Sequence, residues 1–262
     1  MKTAPAEVLH EYGPFPGVDA VHGVSYDGQH VWVATGDKLK AMDPSSGKML
    51  RTLDVTANAG TAFDGRYLYQ IADGRIDKID PQTGEVVSSI PAPTKDGNSG
   101  LAWAEGSLWV GQHRERKIHQ VDPETGAILR TLTSDRFVTG VTWVDGELWH
   151  GTWEGEASDL RHVDPATGEV IERIEMPAGM GVSGLESDGA DRFFCGGGPS
   201  GKVRAVRRKG ARIERNLSVA RVGGDRAASH RDSPPAPAAR ASAAARCRPA
   251  PARSAAGPAV RP

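Results

Sequence analysis

The 262-residue sequence contains only two cysteines, Cys195 and Cys247, far apart and without a C-x-x-C partner. That scarcity excludes a disulfide framework and a thiolate zinc site. Long apolar runs are missing as well: nothing approaches the ~18 residues a membrane span requires. Residues 1–13, MKTAPAEVLHEYG, lack the apolar centre of a secretory signal. The expectation is a cytoplasmic chain without membrane contact. Net charge is only −1, but it is unevenly distributed. From Ala211 onward there are ten arginines, no lysine and three acids, Glu214, Asp225 and Asp232, in a segment dominated by Ala, Pro and Ser. Such a composition buries almost nothing, so residues 211–262 are expected to form a disordered tail. No aromatic residues are interleaved there for base stacking, and no nucleic-acid partner is expected.

Glycine and proline are plentiful, 32 and 18 residues, so turns are frequent and long helices few. Gly23, Gly60, Gly100, Gly140 and Gly184 each open a unit of about 40 residues. Every unit holds a short apolar strand, a turn, and a second strand with an aromatic at a fixed place: Trp32, Tyr69, Trp109, Trp149 and Phe194. A third alternating strand follows. In four units it ends in Asp-Pro-x-x-Gly, at Asp43–Gly47, Asp80–Gly84, Asp122–Gly126 and Asp164–Gly168. Proline presets φ at the second turn position, Asp accepts a backbone hydrogen bond, and Gly supplies the positive φ that closes the turn. Four antiparallel strands per unit, repeated five times, predict an all-β, five-bladed β-propeller.

The fifth unit lacks the Asp-Pro turn and a fourth strand. Residues 7–12, EVLHEY, supply that strand and close the ring, leaving no free edge there. The expected division is a propeller over residues 1–210 and the tail beyond.

In such a fold the loops entering each first strand, and those between second and third strands, share the face on which ligands bind. His22, Ala59, Ser99, Thr139 and Ser183 precede the five unit-opening glycines and are expected to ring the axial mouth. His22 is the titratable member, able to act as acid, base or ligand, or simply to bond a neighbouring blade. Two positions after the glycines stand Ser25, Ala62, Ala102, Thr142 and Glu186, where the lone carboxylate is the outlier and a candidate acid/base. The segment from the fixed aromatic to the turn Asp is longest in the fourth unit. Its Trp153, Glu154 and Glu156, with His113 and Arg114 of the third, are read as exposed loop residues that contact a ligand. His150, within the second strand, reads as packed. The run CGGGPSGK lacks the spacing of a phosphate-binding loop, and H-E-x-x-H, G-x-S-x-G and EF-hand patterns are missing.

The DPxTG turns before strands such as EVIERI resemble those of the plant-type glutamine cyclotransferases and their bacterial relatives, which are five-bladed propellers. The resemblance spans roughly residues 7–209. It implies conversion of an N-terminal peptide glutamine to pyroglutamate by a glutamate among aromatic residues at the axial mouth. Where the family has TQGL this chain has Val21-His22-Gly23-Val24. Its GEGL, which holds the functional glutamate, is similar to Asn98-Ser99-Gly100-Leu101, with Ser99 in the acid's place. Its NELEY is similar to Ser183-Gly184-Leu185-Glu186-Ser187, and its blade-four tryptophan to Trp153. Taken with their expected places at the mouth, the resemblance makes Glu186 or Glu154 the acid/base candidate, with His22 assisting. Trp153, His113, Ser99, Ser183 and Thr139 are the substrate-binding candidates, with no metal or other cofactor. A monomer binding a peptide or small molecule without turnover, and a metal-dependent lyase or lactonase propeller, remain open alternatives.

Overall fold

The computed structural model describes residues 1–208; the expected tail, 211–262, lies outside the described residues. Two N-terminal strands, β1 (Lys2–Pro5) and β2 (Val8–Tyr12), precede the repeats. The first blade is β3 (Gly23–Tyr26), β4 (Val31–Ala34), β5 (Leu39–Met42) and β6 (Met49–Leu53). The second is β7 (Thr61–Phe63), β8 (Leu68–Ala72), β9 (Arg75–Ile79) and β10 (Val86–Pro91). The third is β11 (Asn98–Ala104), β12 (Ser107–Gln112), β13 (Lys117–Val121) and β14 (Ile128–Thr133). The fourth is β15 (Val138–Val144), β16 (Glu147–Glu154), β17 (Ala157–Val163) and β18 (Val170–Glu175). The fifth is β19 (Gly184–Ser187), β20 (Arg192–Gly196) and β21 (Val203–Arg207), completed by β2 in antiparallel register. The all-β, five-bladed propeller expected from the repeats is thus observed, with the N-terminal strand closing the last blade.

The turn chemistry works as the sequence implies. Asp80 Oδ1 accepts from the backbone N–H of Gln82 and Thr83, and Asp122 and Asp164 do the same for the residues two and three beyond. Gly47, Gly84, Gly126 and Gly168 all adopt positive φ. Each turn leans on the fourth strand of the preceding blade, and at the ring closure Tyr12 Oη donates to Pro44 O at 2.7 Å.

The fixed aromatics explain how the blades stack. Tyr69 stacks on Trp103 at 5.3 Å, Trp109 on Trp143 at 5.8 Å, Trp149 meets Phe193 at 5.0 Å, and Phe194 meets Tyr26 at 5.7 Å. Trp32 and Phe63 join the corresponding core between the first two blades. Every pair bridges one blade to the next, at separations where aromatic pairs contribute about 1 kcal/mol beyond their burial.

One element escaped the repeat pattern. β1 runs parallel to β18 and makes the fourth blade five-stranded, Lys2 opposite Glu172 through Pro5 opposite Glu175. Its side chains are largely exposed, so the strand is held by its backbone ladder and carries no alternation to read.

Candidate functional site

At the axis the five unit-opening glycines meet backbone to backbone. A β carbon on Gly23 would strike the Ala59 carbonyl, and one on Gly60 the backbone of Ser99 and Leu101. On Gly100 it would strike Val141, on Gly140 Leu185, and on Gly184 Gly23, which completes the circuit. The space enclosed by these glycines and the residues after them admits no water. None of the five has a positive φ. Glycine is required here by close approach, not by backbone conformation.

That ring divides the expected site residues into two groups. His22, Ser99, Thr139 and Ser183 stand before the glycines, on the mouth side. Glu186 stands two residues beyond, on the far side. The structure therefore brings Glu186 together with Thr142 and not with His22 or Trp153. Thr142 Oγ1 donates to Glu186 Oε1 at 2.5 Å and the Ser187 N–H to the same oxygen at 2.8 Å. Burial raises this carboxyl to about 7, against the pull of both hydrogen bonds. Ser25, Ala62 and Ala102 complete the layer and are all buried.

On the mouth side two of the hydroxyls are already in use. Ser183 Oγ donates to Val21 O at 2.5 Å and accepts from the Gly198 N–H at 2.9 Å; Ser99 Oγ donates to Val138 O at 2.8 Å. Each links one blade to the next. Thr139 Oγ1 is buried with no hydrogen-bond partner. His22 is half-buried, its ring 3.7 Å from the place a β carbon on Gly36 would occupy, and burial lowers its pKa. It is therefore a neutral imidazole at neutral pH. A cleft of about 220 Å³ opens between the second and third blades, walled in part by Asn58, Asp73, Lys95 and Asn98, where Asn58 Nδ2 donates to Asp73 Oδ1 at 3.1 Å and Asn98 Nδ2 to Thr94 O at 2.6 Å.

The fourth blade departs from the expected long loop. β16 and β17 instead extend their ladder to Trp153 opposite Ser158 and Glu154 opposite Ala157. Only Gly155 and Glu156 form the turn, with Gly155 at φ 61°, a position that suits glycine at the start of a tight hairpin turn. The extra residues lengthen the hairpin because Trp153 has a surface to lie on. Its ring covers Gly181 and Gly198, where any β carbon would overlap it, and its Nε1 donates to Gly155 O at 2.9 Å. Glu154 accepts from the Phe137 N–H at 2.7 Å and pairs with Arg116 at 3.5 Å and Arg136 at 3.7 Å. His113 packs on Phe137 at 4.8 Å, and burial, with help from Arg114, lowers its pKa. Glu154 and His113 thus brace the rim. His150 is fully buried in β16, pushed down to about 4 by burial, with Nδ1 3.2 Å from Gly151 O. CGGGPSGK forms the connection between β20 and β21; its Gly197, Ser200 and Gly201 N–H groups are bonded within the loop.

A second polar layer was not singled out from the sequence, although its signal is there. Three residues before each turn Asp stand Lys40, Asp77, His119 and Arg161, and Arg204 occupies the matching place in the fifth blade. Asp77 accepts from Ser89 and Arg75, and His119 lies between Gln112 and Thr131. Arg161 is held by Asp159 and Asp135, and Arg204 Nε donates to Glu11 at 2.7 Å. Aligning the units on their turns would have exposed this column. Among the described residues no three His, Cys, Asp or Glu side chains converge so as to hold a metal ion.

These features define a five-bladed propeller with a polar, partly braced mouth and a closed axis. The chain belongs to the family described as outer membrane protein assembly factor BamB, whose model matches residues 72–244. Among solved structures it is similar to the glutaminyl cyclase of Myxococcus xanthus, with 18% identity over 79% of this chain and 97% of that one, at a TM-score of 0.66. It is also similar to the WD40 repeats of RRP9, with 10% identity over 79% of this chain and 99% of that one, at a TM-score of 0.51. At these identities the likeness is one of fold. No curated protein matches the chain.

Proposed function

We propose that this is a propeller of the glutaminyl cyclase kind that binds a peptide or small molecule at its axial mouth without turning it over. The observation that carries the reading is the glycine ring, which separates Glu186 from the mouth. Two further facts support it. Ser99, at the place of the cyclotransferases' glutamate, gives its hydroxyl to Val138 O, and Glu154 is held by Phe137, Arg116 and Arg136. Cyclisation of glutamine requires a proton carried from the attacking amine to departing ammonia, and neither residue is placed to carry it. Membership in a family described as an assembly factor fits a binding role.

In this account His22 offers a neutral nitrogen to the ligand and Trp153 offers the exposed part of its ring. Titrating the full chain with a Gln-initiated pentapeptide tests it. Saturable binding is expected, weakened about tenfold or more by Trp153→Ala and by His22→Ala. Binding indifferent to both substitutions would reject the mouth as the site.

One observation favours a catalytic second reading: Glu186, raised to about 7, has the acidity suited to a general acid/base. It requires the substrate to approach from the face opposite the mouth. Ammonia release that disappears in Glu186→Gln would establish it.

A further inference from the structure

On the rim of the fourth blade, away from the axis, lies a cleft of about 330 Å³, at the lower end of the range for small-molecule sites. Its walls come from the turn between β16 and β17, the end of β18 and the loops before β15 and β19. Gly179 N–H donates to Glu156 O at 3.1 Å, which joins two of these walls.

The charges in the cleft are unevenly satisfied. Asp159 is fully engaged: it accepts from Thr152 Oγ1 at 2.6 Å and from Arg161 Nε at 2.8 Å. Burial alone would raise its pKa, but these hydrogen bonds outweigh burial and hold it low, so it stays charged. Arg136 and Arg173 face the same cleft and are under-used. Arg136 reaches only Ala157 O at 3.4 Å and Glu154 at 3.7 Å; Arg173 bonds Glu175 at 2.5 Å and stands 4.0 Å from Asp159. The Nε of each is buried with no hydrogen-bond partner. Buried guanidinium donors left unpaired are uncommon and costly. Both guanidinium groups line the open cleft with part of each side chain exposed, and a planar guanidinium binds an acceptor with two oxygens in bidentate fashion.

The acceptor's chemistry follows from the neighbours. Glu156 and Glu175 line the same cleft, exposed, and repel a dianion such as phosphate while attracting an ammonium group. Met176 and Ala178 add apolar surface between the two polar ends. We infer that this cleft is a binding site for a small zwitterion, an amino acid or a dipeptide, with its carboxylate on Arg136 and Arg173 and its ammonium on Glu156. The site lies outside the axial mouth and stands whether or not the mouth binds a peptide.

The test is calorimetric titration of the full chain with L-alanyl-L-alanine, its N-acetyl derivative, its C-terminal amide, and inorganic phosphate. Saturable binding of the free dipeptide is expected, with each blocked form weaker by about tenfold or more, since each forfeits a charged hydrogen bond. Arg173→Met should abolish the preference for the free carboxylate. Glu156→Gln, on an exposed turn where folding is not at stake, should reduce the preference for the free amine. Equal affinity for free and N-acetylated dipeptide, tighter binding of phosphate, or no dipeptide binding up to about 10 mM would overturn the assignment. His22→Ala reports on the axial mouth in the same experiment, so failure of one site is distinguishable from failure of the other.

Discussion

Thr142 Oγ1 and Glu186 Oε1 lie 2.5 Å apart on neighbouring first strands, and the hydrogen bond joins the fourth and fifth blades just beyond the glycine ring. Glu186 is half-buried in a layer whose members besides Thr142 are Ser25, Ala62 and Ala102, and its carboxyl accepts from Thr142 Oγ1 and the Ser187 N–H with no cation beside it among the described residues.

From this pair comes a pH dependence of stability. The Glu186 carboxyl is raised from 4.5 to about 7 in the folded chain. Between those values the folded state therefore holds a proton that the unfolded state has lost. Its stabilising effect is complete below about pH 4.5 and falls away as pH rises to 7, by an amount on the order of 3 kcal/mol at most. Glu186→Gln keeps an acceptor for Thr142 and Ser187 but cannot ionise. Urea unfolding should show the variant more stable than wild type by roughly 1–3 kcal/mol at pH 8, with the gap closing towards pH 4.5.

His150 predicts the opposite slope. Burial lowers its pKa from 6.5 to about 4, so the unfolded chain takes up the proton first. Stability from this group is present above pH 6.5 and is lost as pH falls to about 4, to the extent of roughly 2–3 kcal/mol. Gln70 occupies the same place in the second blade and donates to Ile71 O at 2.7 Å, as His150 faces Gly151 O. His150→Gln should therefore fold and should lack the acid-side loss, as measured by thermal unfolding at pH 4.5 and 6.5. An unchanged acid limb would count against the burial argument.

The glycine ring makes a steric prediction. Gly140→Ala places a methyl group into the Leu185 backbone, an overlap that adjacent blades relieve only by moving apart. A loss of about 2 kcal/mol or more is expected in denaturant unfolding. Gly28→Ala, where a β carbon meets nothing within 4 Å although φ is 93°, separates backbone strain from overlap and should cost about 1 kcal/mol. Equal losses would show that the ring is not close-packed.

Much of the fold was readable because it repeats. Gly23, Gly60, Gly100, Gly140 and Gly184 set the phase, the Asp-Pro turns confirm it, and the missing fourth strand of the last unit points to Val8–Tyr12. β1 was invisible for a physical reason: a parallel strand that buries no side chain leaves no alternation, and Pro5 at its end argues against a strand. At the site, repeat phase places His22, Ser99, Thr139 and Ser183 at the mouth. It does not disclose the close approach of five backbones between them and Glu186. Nor does it disclose that Trp153 lies on Gly181 and Gly198 and so draws the hairpin out of the expected loop. Such facts depend on contacts between distant glycines, which carry no side-chain pattern of their own.

The most direct measurement of the central claim is ammonia release from a Gln-initiated peptide incubated with the full chain under conditions where binding is saturated. A mouth that binds without turnover predicts release indistinguishable from the peptide alone, in wild type and in Glu186→Gln alike. Release well above that background in wild type, abolished by Glu186→Gln with binding retained, would contradict it.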